Sequence, residues 1–418
     1  MNTTSTGTLG AMAGRHSELV AFCESETVWL RDTIEALVRL ESPSDDKVAV
    51  DRCGAELVRR LKDLGANVSC VRQETRGDHV RADWQGRQKG QGTRDKGKGT
   101  GEKGQGGPIL LLGHFDTVWP VGTLERMPLE ESDGRLHGPG IFDMKSGIAV
   151  SMLAMRALHE APGHRSSSRN AGVGIPPVVM LWSSDEEIGS GTSRTLIEEE
   201  ARRTTAVLVL EPSLPGGAVK TSRKGVGEFE LVVYGVSAHA GLDPGKGASA
   251  IHELARQILA LEALQDPVRG LTVNVGVIAG GTRPNVVADR AAARIDVRVE
   301  TMADAVLLEA AIQALRPSRP AITLAIAGGI ERPPLERSAG VVRLYEQARQ
   351  VAAGMGRDLG EGAAGGGSDG NFTAALGVPT LDGLGPQGDG AHALHEHVLI
   401  EDLCWRAAFL AALIQSFI

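Results

Sequence analysis

An unbroken apolar run, Ile109-Leu110-Leu111-Leu112, opens at Pro108 and ends on Gly113-His114-Phe115-Asp116-Thr117-Val118. It is long enough for a buried strand and too short for a helix. His114 and Asp116 stand at i and i+2, so they share one face at the strand's carboxyl end if the strand persists that far. Ligands of open α/β sheets gather at that edge. A histidine beside a carboxylate there suggests a metal ligand with the group that orients it.

Short apolar runs at 177–182 and 206–210 repeat the pattern, each followed within three residues by an acid. Helical spacing fits 25–40, 48–64, 145–159 and 191–203, and strands fit 68–72 and 79–84. Strand and helix alternate, which predicts an α/β fold: a mostly parallel sheet with helices on both faces. From about residue 223 the character changes. Strands at 228–234, 271–277, 291–299 and 321–327 with helices at 248–264 and 303–315 predict an inserted α+β domain. The helices near 341–353 and 399–414 and a strand near 379–381 return to the first. The expected division is 1–222 and 334–418 for one domain and 223–333 for the inserted one.

Residues 85–107 hold many Gly, Lys and Arg and no apolar side chain within 85–107. Such a segment cannot bury enough surface to offset its ordering entropy, so a disordered loop is expected. A milder insertion is expected at 164–174. At 418 residues the chain has room for about two domains and a substantial core. A net charge of −8 argues against general nucleic-acid binding. The four cysteines form no C-x-x-C pair, so reduced thiols in a cytoplasm are expected. No run approaches the roughly 18 apolar residues of a membrane span, and the first residues lack the pattern of a signal peptide.

Further clusters could carry chemistry. Asp143, in Gly138-Pro-Gly-Ile-Phe-Asp143-Met-Lys-Ser-Gly147, sits at the mouth of a Gly-rich turn before a helix, as a helix cap or as a ligand. Asp185-Glu186-Glu187 packs three acids into one loop, either solvated or gathered around a cation. Glu211 follows the run 207–210, as a ligand or as an ordinary loop acid. Gly390-Ala-His392-Ala-Leu-His395-Glu396-His397 supplies more histidines. Two histidines and three carboxylates fit a mixed N/O zinc site, in which one carboxylate can bridge two metals. A further Glu beside them could act as the general base.

The motifs GHFDTV, GPGIFDMKSG, SSDEEIGS, LEPS, SAHAG and GAHxxxE occur in this order, and with them the chain resembles the co-catalytic dizinc amidohydrolases. That family includes glutamate carboxypeptidases, aminoacylases and succinyl-diaminopimelate desuccinylases, and the resemblance is nearest to the first. It implies two Zn²⁺ per subunit, with Co²⁺ or Mn²⁺ as substitutes. His114, Asp143 and Glu211 would hold one, and Asp143, Glu187 and His392 the other. Asp116 would orient His114 and Glu186 would be the base. His239 would stabilise an oxyanion in a partner subunit's site, which implies a homodimer joined through about 226–330. Asn285, Arg298 and Gly366 would line the pocket for a substrate carboxylate, and Lys220 and Arg332 are looser matches, with Lys224 an equal rival to Lys220.

The implied reaction is hydrolysis of an amide bond by metal-activated water, releasing a C-terminal amino acid such as glutamate from a small peptide or N-acyl substrate. An N-acyl amino-acid deacylase is the enzymatic alternative, and a metal-dependent binding protein without catalysis the non-enzymatic one. His395 and His397 crowd the last motif, so the choice of His392 rests on the spacing to Glu396. The 85–107 insert belongs to no pattern of the family.

Overall fold

The computed structural model describes residues 4–86, 107–162 and 174–418. The expected loops at 85–107 and 164–174 therefore fall, apart from their end residues, outside the described residues. The chain forms two compact units: residues 1–221, 337–362 and 372–418, and residues 222–336 with 363–371.

The first unit is built on a six-stranded sheet. Its strands are β1 (Asn67–Val71), β2 (His79–Trp84), β3 (Ile109–His114), β4 (Val178–Ser183), β5 (Ala206–Val209) and the two-residue strand Thr380–Leu381. Their order is β1-β2-β4-β3-β5 and then Thr380–Leu381. β4, β3, β5 and Thr380–Leu381 run parallel, while β2 and β1 add an antiparallel edge. β3 is buried at every position because both of its faces are covered. Ile109 and Leu111 join the core that includes helices Ser146–Glu160 and Ile400–Gln415. Leu110 and Leu112 join a second cluster with Ile197 and Ala201 of helix Arg194–Ala201 and with Phe372. The alternation of a strand thus divides one apolar run between two cores.

Several features are not expected from the sequence. A helix, Thr4–Ser25, precedes the expected first one and ends where Thr27–Arg39 begins. Its Gly- and Thr-rich start gives little helical signal, yet Leu19 and Cys23 in its second half are buried. A small antiparallel sheet joins Glu130–Ser132, Arg135–His137, Gly388–Asp389 and His397–Leu399. Its strands are two or three residues long, too short for periodicity to register. Finally, 363–371 goes with the second unit, not with the first as expected. The buried pair of Arg332 with Asp369 (3.0 Å) and the bonds from Arg223 to the carbonyls of Gly366 and Gly367 tie it there.

The second unit is α+β. Its antiparallel strands are β6 (Gly225–Tyr234), β7 (Thr272–Gly280), β8 (Arg290–Val299) and β9 (Thr323–Arg332), ordered β7-β8-β6-β9. On β8, Ala291, Ala293, Ile295, Val297 and Val299 are all buried. They pack in one cluster with Leu254 and Leu261 of helix Ala250–Glu262 and with Leu308 and Ile312 of helix Met302–Gln313. The intervening Arg294, Asp296 and Arg298 take the other face, as period two requires. Among the described residues no helix is long and apolar enough to cross a membrane.

Candidate metal centre

Because β3, β4 and β5 run parallel, their carboxyl ends share one edge of the sheet. His114 is the last residue of β3, Glu186 and Glu187 lie in the turn after β4, and Glu211 lies two residues past β5. Asp143 comes from the turn 138–145 that leads from the region after β3 into helix Ser146–Glu160. That turn packs against β3: a Cβ on Gly113 would lie 2.4 Å from the Met144 methyl, so a side chain there would displace Met144.

Two clusters result, and Asp143 belongs to both. Its Oδ1 lies 3.2 Å from His114 Nε2, which is 3.4 Å from Glu211 Oε1. Its Oδ2 lies 3.5 Å from His392 Nε2, which is 3.1 Å from Glu187 Oε2. Within each cluster the potential ligand atoms all lie within 4.8 Å of one another. The first cluster is deep, with His114 only 1% exposed, while the His392 side chain is 51% exposed. The ring of His392 is thus the open side of the site. His395 is exposed, His397 packs against the ring of His137, and among the described residues neither enters a cluster.

The residues fit a pair of cations. Glu187 Oε1 is buried and has no hydrogen-bond partner among the described residues, an arrangement that costs free energy unless a positive group meets it. Burial pushes the Glu187 carboxyl up to about 7, with the Asp143 charge adding to it against the hydrogen bond from His392. His392 is pushed up to about 10 by its bonds to Asp143 and Glu187. Burial would lower His114, yet Asp116, Asp143 and Glu211 carry it well above the usual range. Carboxylates that draw protons onto two buried or half-buried imidazoles make a site where metal ions would replace those protons.

Asp116 supports both loops. Its carboxylate lies 3.4 Å from His114 Nδ1, although that nitrogen is nearer still, 3.0 Å, to the Asp116 carbonyl. It also accepts the backbone N–H of Glu186 and of Glu187, both at 3.2 Å, and the Ser44 hydroxyl at 2.6 Å. Ser44 was not foreseen, since nothing in the sequence brings it to this edge. In the sequence Glu396 stands out only as the end of a motif, yet it is buried and holds the Asp143 turn. Trp119, equally unforeseen, donates to it.

Among the described residues, neither cluster includes the other expected residues. Lys220, in the first unit, is buried and pairs through its main chain with Asp382. Lys224 donates to the Gly270 carbonyl at 2.5 Å. In the second unit His239 is exposed and accepts the N–H groups of Gly241 and Leu242 on Nδ1. Its strand-like pairing with Val286 brings it beside Asn285, whose carbonyl accepts the Ala240 N–H. Arg298 grips Asp296 with two parallel bonds, 2.9 and 2.8 Å. Gly366 is exposed, and Arg332 is occupied by Asp369.

Asn285 and Arg298 lie toward opposite ends of β8. Arg290 pairs with Tyr234 at the end of β8 that faces Asn285, and Arg298 stands eight residues further along the strand. At about 3.3 Å per residue that is roughly 26 Å.

The chain matches the model of peptidase family M20/M25/M40 over residues 110–416. It belongs to that family. Among curated relatives of this peptidase family, carboxypeptidase G2 of Pseudomonas sp. (strain RS-16) is 30% identical over 392 residues, spanning 92% of this chain and 88% of the relative. A succinyl-diaminopimelate desuccinylase of Xanthomonas oryzae pv. oryzae (strain MAFF 311018) is 31% identical, spanning 75% and 85%. Among solved structures, aminopeptidase PepT of Bacillus cereus ATCC 10987 superposes with a TM-score of 0.73 at 21% identity, covering 93% of this chain and 98% of that one. The M20 family metallo-carboxypeptidase Sso-CP2 of Sulfolobus solfataricus gives 0.66 at 18%, covering 93% and 98%. These structures share the fold, and the family makes the chain a metallohydrolase.

Proposed function

We propose that this hydrolase cleaves an amide bond with two zinc ions, releasing a C-terminal amino acid such as glutamate. The observation that carries this is Asp143, which offers one carboxylate oxygen to each of two histidine–carboxylate clusters. His114, Asp143 and Glu211 would hold one ion and Asp143, Glu187 and His392 the other. When bound, such ions would act as Lewis acids and lower the pKa of a coordinated water.

The protein supplies the rest. Glu186 takes the proton from the attacking water as its oxygen bonds to the amide carbon. It returns that proton to the leaving nitrogen as the C–N bond breaks. Asp116 fixes the turn that carries Glu186 and keeps the His114 ring aimed at Asp143 and Glu211. His239 and Asn285 would stabilise the developing oxyanion and the substrate carboxylate, with Arg298, Arg332, Lys220 and Gly366 as further contacts.

The separation of Asn285 from Arg298 bears on assembly. If both read one substrate, they do so from two chains, which supports a homodimer. β7 supports it too: it is an edge strand, and Val277 and Ile278 on it are more than half exposed. Free thiols at Cys23, Cys53, Cys70 and Cys404 suit a cytoplasmic setting.

The likeness to carboxypeptidase G2 supports release of a C-terminal residue, and that to the desuccinylase supports deacylation as the second reading. Hydrolysis of N-acyl-glutamate, dipeptide and N-succinyl substrates with added Zn²⁺ separates them. The carboxypeptidase reading expects the highest kcat/KM on N-acyl-glutamate. Preference for the N-succinyl substrate replaces it with the second reading, and no turnover on any of them rejects both.

A further inference from the structure

Glu396 is 0% exposed, and both of its carboxylate oxygens are fully used. Oε1 accepts the backbone N–H of Phe142 at 2.9 Å and of Asp143 at 3.1 Å. Oε2 accepts the N–H of Gly140 at 3.0 Å and the Trp119 indole N–H at 2.8 Å. An ionised carboxylate has about four lone-pair directions, and here each meets a donor. In the same contact the Gly138 N–H reaches the Glu396 carbonyl at 3.4 Å.

The donors come from two segments that carry the metal centre. Trp119 lies three residues past Asp116, and the three amides belong to the turn that presents Asp143. Glu396 itself lies four residues past His392, on a loop drawn in so tightly that a Cβ on Gly390 would lie 2.8 Å from the Glu396 nitrogen. The short pairing of His397–Leu399 with Arg135–His137 continues this junction on the far side.

We propose that Glu396 is a positioning residue that sets the spacing of the two metal positions by fixing the Asp143 turn to the His392 loop. Asp143 is the one side chain common to both clusters, and its own backbone N–H is among the bonds Glu396 accepts. His392 is the one ligand on an exposed loop, and Glu396 anchors that loop to the buried side of the site. A single carboxylate therefore controls the relation between the inner cluster and the outer one. An amide cannot replace it: glutamine offers one oxygen and one NH₂, so two of the four donors would face another donor. The proposal rests on the reading of the clusters as a dinuclear metal centre.

The test is Zn²⁺ affinity and stoichiometry, measured by competition with a chromogenic chelator and by elemental analysis on wild type, E396Q, W119F and E253Q. Groups that orient metal ligands typically change affinity 10–100-fold, and that loss is expected for E396Q. W119F, which removes one of the four bonds, should lose less in the same direction. Glu253 is an equally buried carboxylate in the other unit, bonded to Gln257 and Ser318. E253Q should lower thermal stability and leave Zn²⁺ affinity unchanged, which separates positioning from general support of the fold. At saturating Zn²⁺, E396Q should lose kcat while KM stays within about twofold. Two zinc ions bound by E396Q with wild-type affinity would overturn the proposal. Should E396Q fail to fold, wild-type affinity in W119F overturns it instead. Wild type that binds no Zn²⁺ removes the dinuclear reading beneath it, an outcome distinct from either.

Discussion

The Asp116 carboxylate accepts the backbone N–H of Glu186 at 3.2 Å, so the residue beside His114 also holds the turn of the proposed base. This gives Asp116 two tasks that one substitution separates from ligation. Asp116→Asn keeps the volume but turns an NH₂ toward one of the amides or the imidazole. We expect a loss of about 10–100-fold in kcat/KM, with the protein still folded. A change confined to KM would place the effect on substrate binding instead.

Glu186→Gln removes only the proton carrier. Metal content should stay as in wild type, while kcat falls about 10²- to 10⁴-fold. Exhaustive chelation should abolish wild-type activity, with Zn²⁺ or Co²⁺ restoring it. A Glu186→Gln enzyme within a few-fold of wild type would exclude this residue as the base.

Arg298 is held by Asp296 and its side chain is 32% exposed, so its removal should cost little stability, about 0.2–1 kcal/mol. Its effect on substrate is a separate quantity. Arg298→Ala should lower kcat/KM by about tenfold or more for a substrate with a free α-carboxylate, since a guanidinium grips that group with two bonds. The α-amide analogue should show almost no change. Equal losses on both would assign Arg298 to the fold of the second unit.

Acid stability should depend on Asp402. Burial would raise its carboxyl, but Arg406 (2.9 Å) and the Gln387 N–H (3.0 Å) hold it below the usual range, with Arg357 also in contact. Its folded pKa therefore lies under the unfolded value of about 3.9. Its contribution is complete above that value and is lost as pH falls through the lowered one. Asp402→Asn, which leaves the buried Arg406 without its charge partner, should cost about 3–5 kcal/mol near pH 7. The gap to wild type should narrow below about pH 4, as read from urea midpoints at both pH values.

The edge of β7 should govern assembly. Sedimentation is expected to give a dimer for wild type, and Ile278→Lys should weaken it by placing a charge on the edge strand. A wild-type monomer with full activity would remove the dimer and with it any joint action of Asn285 and Arg298.

The site was legible where chemistry follows a strand end. His114, Glu187 and Glu211 each follow an apolar run, and residue type plus position was enough to make them candidates. Asp143 and His392 come from turns and needed the motif resemblance, because no periodicity points to a turn's partner. Ser44, Trp119 and Glu396 act across 72 to 277 residues of sequence separation, and their types are unremarkable where they stand. The helix Thr4–Ser25 was missed because local propensity is weak there, and burial of Leu19 and Cys23 is a tertiary effect. Asn285 and Arg298 were grouped through a motif, which carries no measure of distance along a sheet.

In the first unit β3 lies between β4 and β5, so His114, Glu187 and Glu211 issue from three adjacent parallel strands. Adjacent strands stand about 4.8 Å apart, a pitch fixed by main-chain hydrogen bonds. The sheet is therefore a ruler for this site, graduated in units that no side-chain substitution can alter. Re-spacing these three donors would require shifting a strand, which would exchange Leu110 and Leu112 with Ile109 and Leu111 between their two cores. The spacing of these three donors is inherited from the polypeptide backbone, while Asp143 and His392 are left to a turn and a loop.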